Sequence, residues 1–525
     1  MKKLLLFIVG CLFSIVAHSQ NFFETIIQSD DGVRRGAHFV VETNNHSFII
    51  SCSAQFVFQN DMLVLLSPNG EVVNERIFQI EDKNLKYCGL FKHPQYSSDY
   101  LAIAVLSYGN TNDDCVQREI AFIRLDAELS VVEYSIWNLG DSFTMLATTH
   151  NDFPKFLIDD DGTIVMAAHC LKKDSYCYLF ARITSQGEIV SMREDVSMNE
   201  KFDFLYSLFV RKRECKSYGM IKFYNHDSGG DFYYLIDSAF NCERVKRLST
   251  MEIRVVQEDP NQTYPDTTFY YQFYQGSGEY YNDTSFLVTC TTQYLKTSKY
   301  QFGYGHFISQ LNDSANVLNT KVWDCHKLQT DHSTTTLSAM TQPLSVTDRF
   351  IYHCGITGVK QHGYYITSST KTRIVVGKFD RDLNQIWRRY YGLDDCYYDI
   401  NTVEATEDGG CIMTGIYANN PGSFYSYILK VDENGYDALG ENTESKIKPY
   451  CCYPNPTSDV IYIDLSPDVT CQYVELYNID GRLVETFQET SLQTTIDISG
   501  LNAGMYIIKI RMAEGKEYTE HIVKE

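Results

Sequence analysis

The stretch Ile374-Val375-Val376-Gly377-Lys378-Phe379-Asp380, continued by Arg381-Asp382 and then by Trp387 and Tyr391-Gly392, decides how this chain is read. An apolar run meets an Asp-rich turn, and a second strand-like run follows at once. Asx residues suit such turns because they tolerate the backbone angles and bond their own backbone. Val, Ile, Phe and Tyr on either side fit a pleated, half-buried surface. The pattern recurs as Leu63–Phe78 around Ser67-Pro68-Asn69-Gly70, Ala121–Trp137 around Asp126-Ala127-Glu128, and Tyr178–Asp195 around Ser185-Gln186-Gly187. It returns as Phe232–Ser249 around Asp237-Ser238-Ala239, and as His306–Trp323 near Asn312-Asp313-Ser314. With Tyr427–Ala438, turning at Asp432–Gly435, there are seven hairpins.

Another strand precedes each hairpin: Ser47–Cys52, Tyr100–Val105, Gly162–Ala167, Tyr218–Phe223, Ser285–Cys290, Arg349–Cys354 and Gly410–Gly415. One more strand before each of these makes about four per unit and roughly 60 residues per repeat. The seventh unit stops near Gly440 without its outer strand, and Phe22–Gln28 is expected to supply it. The expected fold is all-β: a β-propeller of about seven four-stranded repeats over 20–443, with six or eight blades as alternatives. A ring built this way leaves only short, protected sheet edges. Together with Ala405-Thr406-Glu407-Asp408-Gly409-Gly410 and Ile428-Leu429-Lys430-Val431-Asp432, the opening stretch resembles the blade repeat of secreted bacterial β-propellers, most closely in the last two units.

The chain has 525 residues and a net charge of −22, too long for one ordinary domain and too apolar, at 44%, for disorder. The acidic balance argues against a nucleic-acid partner, which needs clustered Lys and Arg. Met1-Lys2-Lys3, the apolar run Leu4–Val16 and the small residues Ala17 and Ser19 read as a signal peptide over 1–19, cut before Gln20. That run is too short to span a bilayer, no other segment is long enough, and no membrane span is expected. Ile8-Val9-Gly10-Cys11 is similar to a lipobox, but the apolar run continues past Cys11.

Loss of Cys11 leaves an odd number of cysteines. Cys52, Cys290 and Cys354 share one repeat position with Ala167 and Gly415, a crowded site where a free thiol acts as a small hydrophobe. Cys170 and Cys177 flank a turn and are candidates for a cross-strand pair, and Cys451-Cys452 for exposed thiols of the linker. No CxxC or HExxH spacing appears, so no metal is expected.

After a polar linker at 444–450, residues 451–525 alternate as short strands of a small Ig-like β-sandwich. Tyr453-Pro454-Asn455-Pro456-Thr457 opens the module. Val474-Glu475-Leu476-Tyr477-Asn478-Ile479-Asp480-Gly481-Arg482 and Ile496-Asp497-Ile498-Ser499-Gly500-Leu501-Asn502-Ala503-Gly504-Met505-Tyr506 follow, and His521-Ile522-Val523-Lys524-Glu525 ends it. These motifs, in this order, closely resemble the type A C-terminal sorting domain of the type IX secretion system of Bacteroidetes. The resemblance implies export to the periplasm, passage of the folded passenger across the outer membrane, and removal of the domain. The partner it implies is the type IX machinery. It makes Tyr453, Pro454, Asn455, Pro456, Gly481, Gly500, Leu501, Gly504, Tyr506 and Lys524 the sorting-signal residues, with Gly481 and Gly504 permitting tight turns.

No catalytic motif stands out in the large region: no GxSxG, P-loop or dinucleotide fingerprint. His169, His226, His306, His326 and His353 are scattered, and His353 reads as a core histidine on an inner strand. Asp159-Asp160-Asp161-Gly162 reads as a solvated turn, since the later ligands of a calcium loop are missing. The aromatic stretch Tyr264–Tyr281 reads mostly as strand core, with sugar stacking as the alternative. Asp237-Ser238-Ala239, Asp266-Thr267-Thr268 and Asp313-Ser314-Ala315 resemble the Bacteroidetes O-glycosylation pattern. The expected function is a secreted or surface-delivered binding module for glycan or protein ligands, with no cofactor. A propeller-based hydrolase or lyase acting on extracellular polysaccharide or peptide is the alternative.

Overall fold

The computed structural model describes residues 22–524 apart from 29–32, 55–58, 109–115, 146–152, 174, 196–206, 213–216, 223–231, 248–251, 255–267, 283, 296–301, 327–334, 339–342, 360–371, 394–395, 420–423, 437–449, 454–456, 458, 466–470, 479–481, 488–492 and 513–516. The signal peptide and its cleavage site at Ala17, Ser19 and Gln20 lie outside the described residues. Two compact units divide at 441/442.

Every element described in the first unit is a strand, and its sheets follow one another in chain order as antiparallel meanders. The first joins Arg35–Glu42, Phe48–Ala54, Met62–Leu66 and Val72–Arg76. The second runs from Asn84–Lys92 to Val131–Asn138, the third from Thr144–Met145 and Lys155–Ile158 to Ile189–Asp195, and the fourth from Ser207–Lys212 to Cys242–Arg247. The fifth has five strands, Glu252–Arg254 to Val317–His326, and the sixth runs from Thr335–Ser338 and Leu344–Val346 to Gln385–Tyr391. The seventh joins Tyr397–Ala405, Cys411–Ala418 and Tyr425–Val431 to Phe23–Ile27 from the other end of the chain. Each sheet touches the next, and the seventh touches the first. This ring of sheets is a β-propeller.

The fourth-strand turns share one chemistry. Asp126, Asp237, Asn312, Asp380 and Asp432 each accept the backbone N–H groups two and four residues on, at 2.7–3.1 Å. Ser67 does so with its hydroxyl. The residue three positions after the first is left-handed in all seven turns: Gly70, Leu129, Gly187, Phe240, Ala315, Leu383 and Gly435. This is a type I turn closed by a one-residue bulge, and in five of the sheets the ladder slips register beside it.

Four of those residues are not glycine although the left-handed region costs an L-residue roughly 1–2 kcal/mol. Packing between sheets offsets it. Leu129, Phe240 and Leu383 are buried in cores shared with a neighbouring sheet. Where glycine stands, the neighbour fills the space instead: a Cβ on Gly70 would lie 2.4 Å from the Phe23 ring. Phe240→Ala should therefore destabilise the ring by about 3 kcal/mol. Phe240→Gly should destabilise it less, because glycine also relieves the positive φ. Thermal melts of both variants check this, and Ala tolerated better than Gly would refute it.

The second unit pairs Tyr450–Tyr453, Val460–Leu465 and Gln493–Asp497 in one sheet, and Leu483–Phe487, Cys471–Asn478, Gly504–Met512 and Glu517–Lys524 in another. Ile461, Ile463, Ile496, Val474, Leu476, Ile508, Ile510 and Ile522 from both sheets form one core, a small β-sandwich. Cys451 and Cys452 belong to its first strand rather than to a linker, because their backbones pair with Asp464 and Ile463.

Thr268–Asn282 is one long strand held between two others, in line with the strand reading of Tyr264–Tyr281, and residues 264–267 lie outside the described residues. His353 lies on the second strand of its sheet, flanked on both sides and fully buried, as a core histidine. Cys52 and Cys354 are buried free thiols, and the Cys290 side chain is outside the described residues. Cys170 and Cys177 face each other across the ladder as two separate buried thiols. Burial pushes the Cys177 thiol up to about 11 and Cys170 further, which keeps thiolate scarce.

Candidate functional site

The sorting residues divide into those the structure places and those it leaves outside the described residues, Pro454, Asn455, Pro456 and Gly481. The strand Glu517–Lys524 runs beside Gly504–Met512, so Lys524 sits opposite Gly504. On its other side Lys524 bridges to Thr457 in parallel. The end of the chain is thus held between the opening motif and the third motif. Thr457, missing from the sequence-based set, is the residue that joins them: it is 3% exposed and its hydroxyl donates to the Val460 carbonyl at 2.8 Å.

Gly504 opens its strand at a φ of +155°, and no atom lies within 4 Å of where its Cβ would be. Backbone conformation, not space, therefore asks for glycine there, and the residue begins a strand rather than sitting inside a tight turn. Gly500 is exposed in a turn, without steric demand. Leu501 packs partly against the core and donates its N–H to the Ile498 carbonyl at 2.9 Å. Tyr506 is buried and its hydroxyl donates to the Asn502 carbonyl at 2.9 Å, pinning the loop ahead of its strand. Tyr453 pairs with Tyr462.

In the ring, polar chemistry gathers where the first and last sheets meet. A bulge at Ala37/Val40 interrupts the ladder of the first strand. Side chains of the seventh sheet take up the carbonyls along it: Asn401 donates to Ala37, Thr414 to His38 and Ser426 to Arg35, at 2.8–3.1 Å. Below them Glu42, His46 and Glu407 bring ligand atoms within 4.8 Å of one another. Lys92 pairs with Glu407 at 3.0 Å, and the Glu407 N–H donates to Glu42 at 2.8 Å. The hydrogen bond that His46 Nδ1 donates to Glu42 raises the imidazole above its ordinary value. This is a charge network across the closure, formed by residues more than 300 positions apart.

His306 and His353 are fully buried between the fifth and sixth sheets, their rings 5.3 Å apart and both against Trp323. His353 bonds the Thr289 hydroxyl through Nε2. Asp159-Asp160-Asp161-Gly162 forms a closed turn, with Asp161 bonding Thr163. Among the described residues no helix is long and apolar enough to cross a membrane.

No curated protein matches the chain. Among solved structures it is similar to polysaccharide lyase Uly1 (12% identity, TM-score 0.41, covering 76% of this chain and 90% of that one). It is also similar to a puromycin hydrolase (10%, 0.39, 82% and 59%) and a GH43 β-1,3-galactosidase (9%, 0.32, 82% and 97%). Likenesses this remote carry no argument about chemistry. Residues 451–525 match the family described as the secretion system C-terminal sorting domain. The chain therefore carries a type IX C-terminal sorting domain, which directs export to the cell surface or the extracellular space.

Proposed function

We propose that the exported passenger, residues 20–443, is a seven-bladed propeller that binds a glycan or protein ligand at one face of its ring and catalyses no reaction. The observation that carries this is an asymmetry of connections. First-to-second and third-to-fourth strand links leave one end of each sheet, and they are tight: Leu66 to Val72, Leu125 to Val131, Ile183 to Ile189. The remaining links leave the other end and several are long: Val359 to Arg373, Lys222 to Phe232, Asp195 to Ser207. Variable loops on a rigid scaffold are where recognition usually resides.

The ten sorting-signal residues above, with the Ig-like sandwich that holds them, are proposed to deliver this passenger to the type IX machinery. Cleavage between Ser19 and Gln20 precedes that step, and 444–450 links the two parts. Deleting Cys451–Glu525 should leave the passenger in the periplasm; surface delivery of the truncated chain would refute the sorting role. A glycan and host-protein binding screen with the full mature chain tests the passenger. Turnover of a polysaccharide or peptide would overturn the non-catalytic reading in favour of a hydrolase or lyase.

A further inference from the structure

The loop-bearing end of the seam between the seventh and first sheets holds four residues of complementary chemistry. Arg34 enters the first sheet, Tyr397 opens the first strand of the seventh, and Phe424 precedes its third. All three positions lie at the end of the ring from which the second-to-third and sheet-to-sheet links leave. The Arg34 guanidinium is exposed and lies 6.0 Å from the Phe424 ring centre. No carboxylate pairs with it among the described residues, although the chain carries a charge of −22. Tyr397 meets Phe424 edge to face, with ring centres 6.4 Å apart, and its hydroxyl donates to Asp399 Oδ2 at 3.2 Å.

Asp399 is the unusual member. It is 6% exposed, and Tyr397 is its one hydrogen-bond partner among the described residues. A buried carboxyl ordinarily gathers several donors or a cation, because desolvation of the charged form is costly. Here burial pushes the group up to about 6, the sign of a carboxyl short of donors. A ligand hydroxyl is the donor this carboxyl lacks. An aromatic ring beside it offers an apolar face, and an unpaired arginine suits a carboxylate in bidentate geometry.

We propose that Arg34, Tyr397, Asp399 and Phe424 form a subsite for an acidic saccharide: Arg34 pairs with a uronate carboxylate, Asp399 accepts a sugar hydroxyl, Phe424 packs against the ring, and Tyr397 positions both. This rests on the glycan-binding reading of the passenger and names its ligand class.

The test is calorimetric titration of the full mature chain with polygalacturonate oligosaccharides, and with neutral laminarin oligosaccharides beside them. Polygalacturonate should bind more tightly. Arg34→Ala should weaken it at least tenfold with no change in melting temperature, since Arg34 is exposed. Phe424→Ala should weaken it several-fold. Asp399→Asn, isosteric and still an acceptor, should stay within about threefold of the parent, whereas Asp399→Leu should lose tenfold. Binding unchanged in Arg34→Ala, or equal affinity for laminarin, would overturn the subsite while leaving glycan binding intact. Absence of binding to either glycan would overturn both.

Discussion

Removing Phe23–Ile27 is expected to unlatch the ring. This strand pairs by its backbone with Tyr425–Val431 of the last sheet. Its side chains face the first sheet: Phe23 lies 5.7 Å from the Phe48 ring, and the Thr25 hydroxyl donates to the Gly70 carbonyl at 2.7 Å. Phe23 and Ile27 are each 5% exposed, in one core with Ile50, Val64, Ile412 and Ile428. Truncating a buried Phe costs about 3–5 kcal/mol and a buried Ile about 2–5. Their sum approaches the whole stability of an ordinary domain, about 5–15 kcal/mol. A chain lacking residues 20–28 should lose its cooperative melt and become sensitive to protease. Should it fail to express, Phe23→Ala alone provides the measure, with an expected loss of about 3 kcal/mol. A melting temperature unchanged in both variants would refute the latch.

Acidification should open a second seam of the ring, between the fifth and sixth sheets. Burial, and then the neighbouring His306, holds the His353 imidazole well below its ordinary value. The folded state keeps this group neutral, while the unfolded chain protonates near pH 6.5. Stability is therefore complete above that value and is lost as pH falls below it toward the depressed folded value, at about 1.4 kcal/mol per pH unit. Asp399 works in the opposite sense, since protonation through about 6 relieves its burial. The informative comparison is thus with His353→Gln, which can still bond Thr289. The parent chain should lose melting temperature between pH 6.5 and 4.5 more steeply than that variant. Parallel profiles would mean that another group carries the acid sensitivity. Asp99, Asp380 and Asp408, all held below the usual carboxylate range, act only at still lower pH.

The two seams differ in how much of them the sequence could announce. The latch strand was legible because the seventh repeat lacked an outer strand, which Phe22–Gln28 at the mature N-terminus could supply. The buried histidine pair was not. His306 and His353 sit 47 positions apart on strands whose neighbours look alike, and only the packing of consecutive sheets brings their rings together. The sorting module shows the same division. Its motifs were recognisable in order, yet nothing local to Thr457 records its bridge to Lys524.

Turn chemistry and strand period are local. An Asp that accepts the N–H groups two and four residues on completes its interaction within five residues, so Asp126, Asp237, Asp380 and Asp432 announce their hairpins in the sequence alone. Repetition of that unit, the alternating apolar pattern and the ordered motifs after residue 450 therefore determined an all-β repeat chain with an export module. Tertiary structure alone decided why Leu129 and Phe240 tolerate a left-handed backbone. It also decided which distant residues share a surface. Arg34 and Phe424 stand nearly 400 positions apart, and no local preference of either residue records the other. Their meeting depends on the summed twist and packing of every intervening sheet.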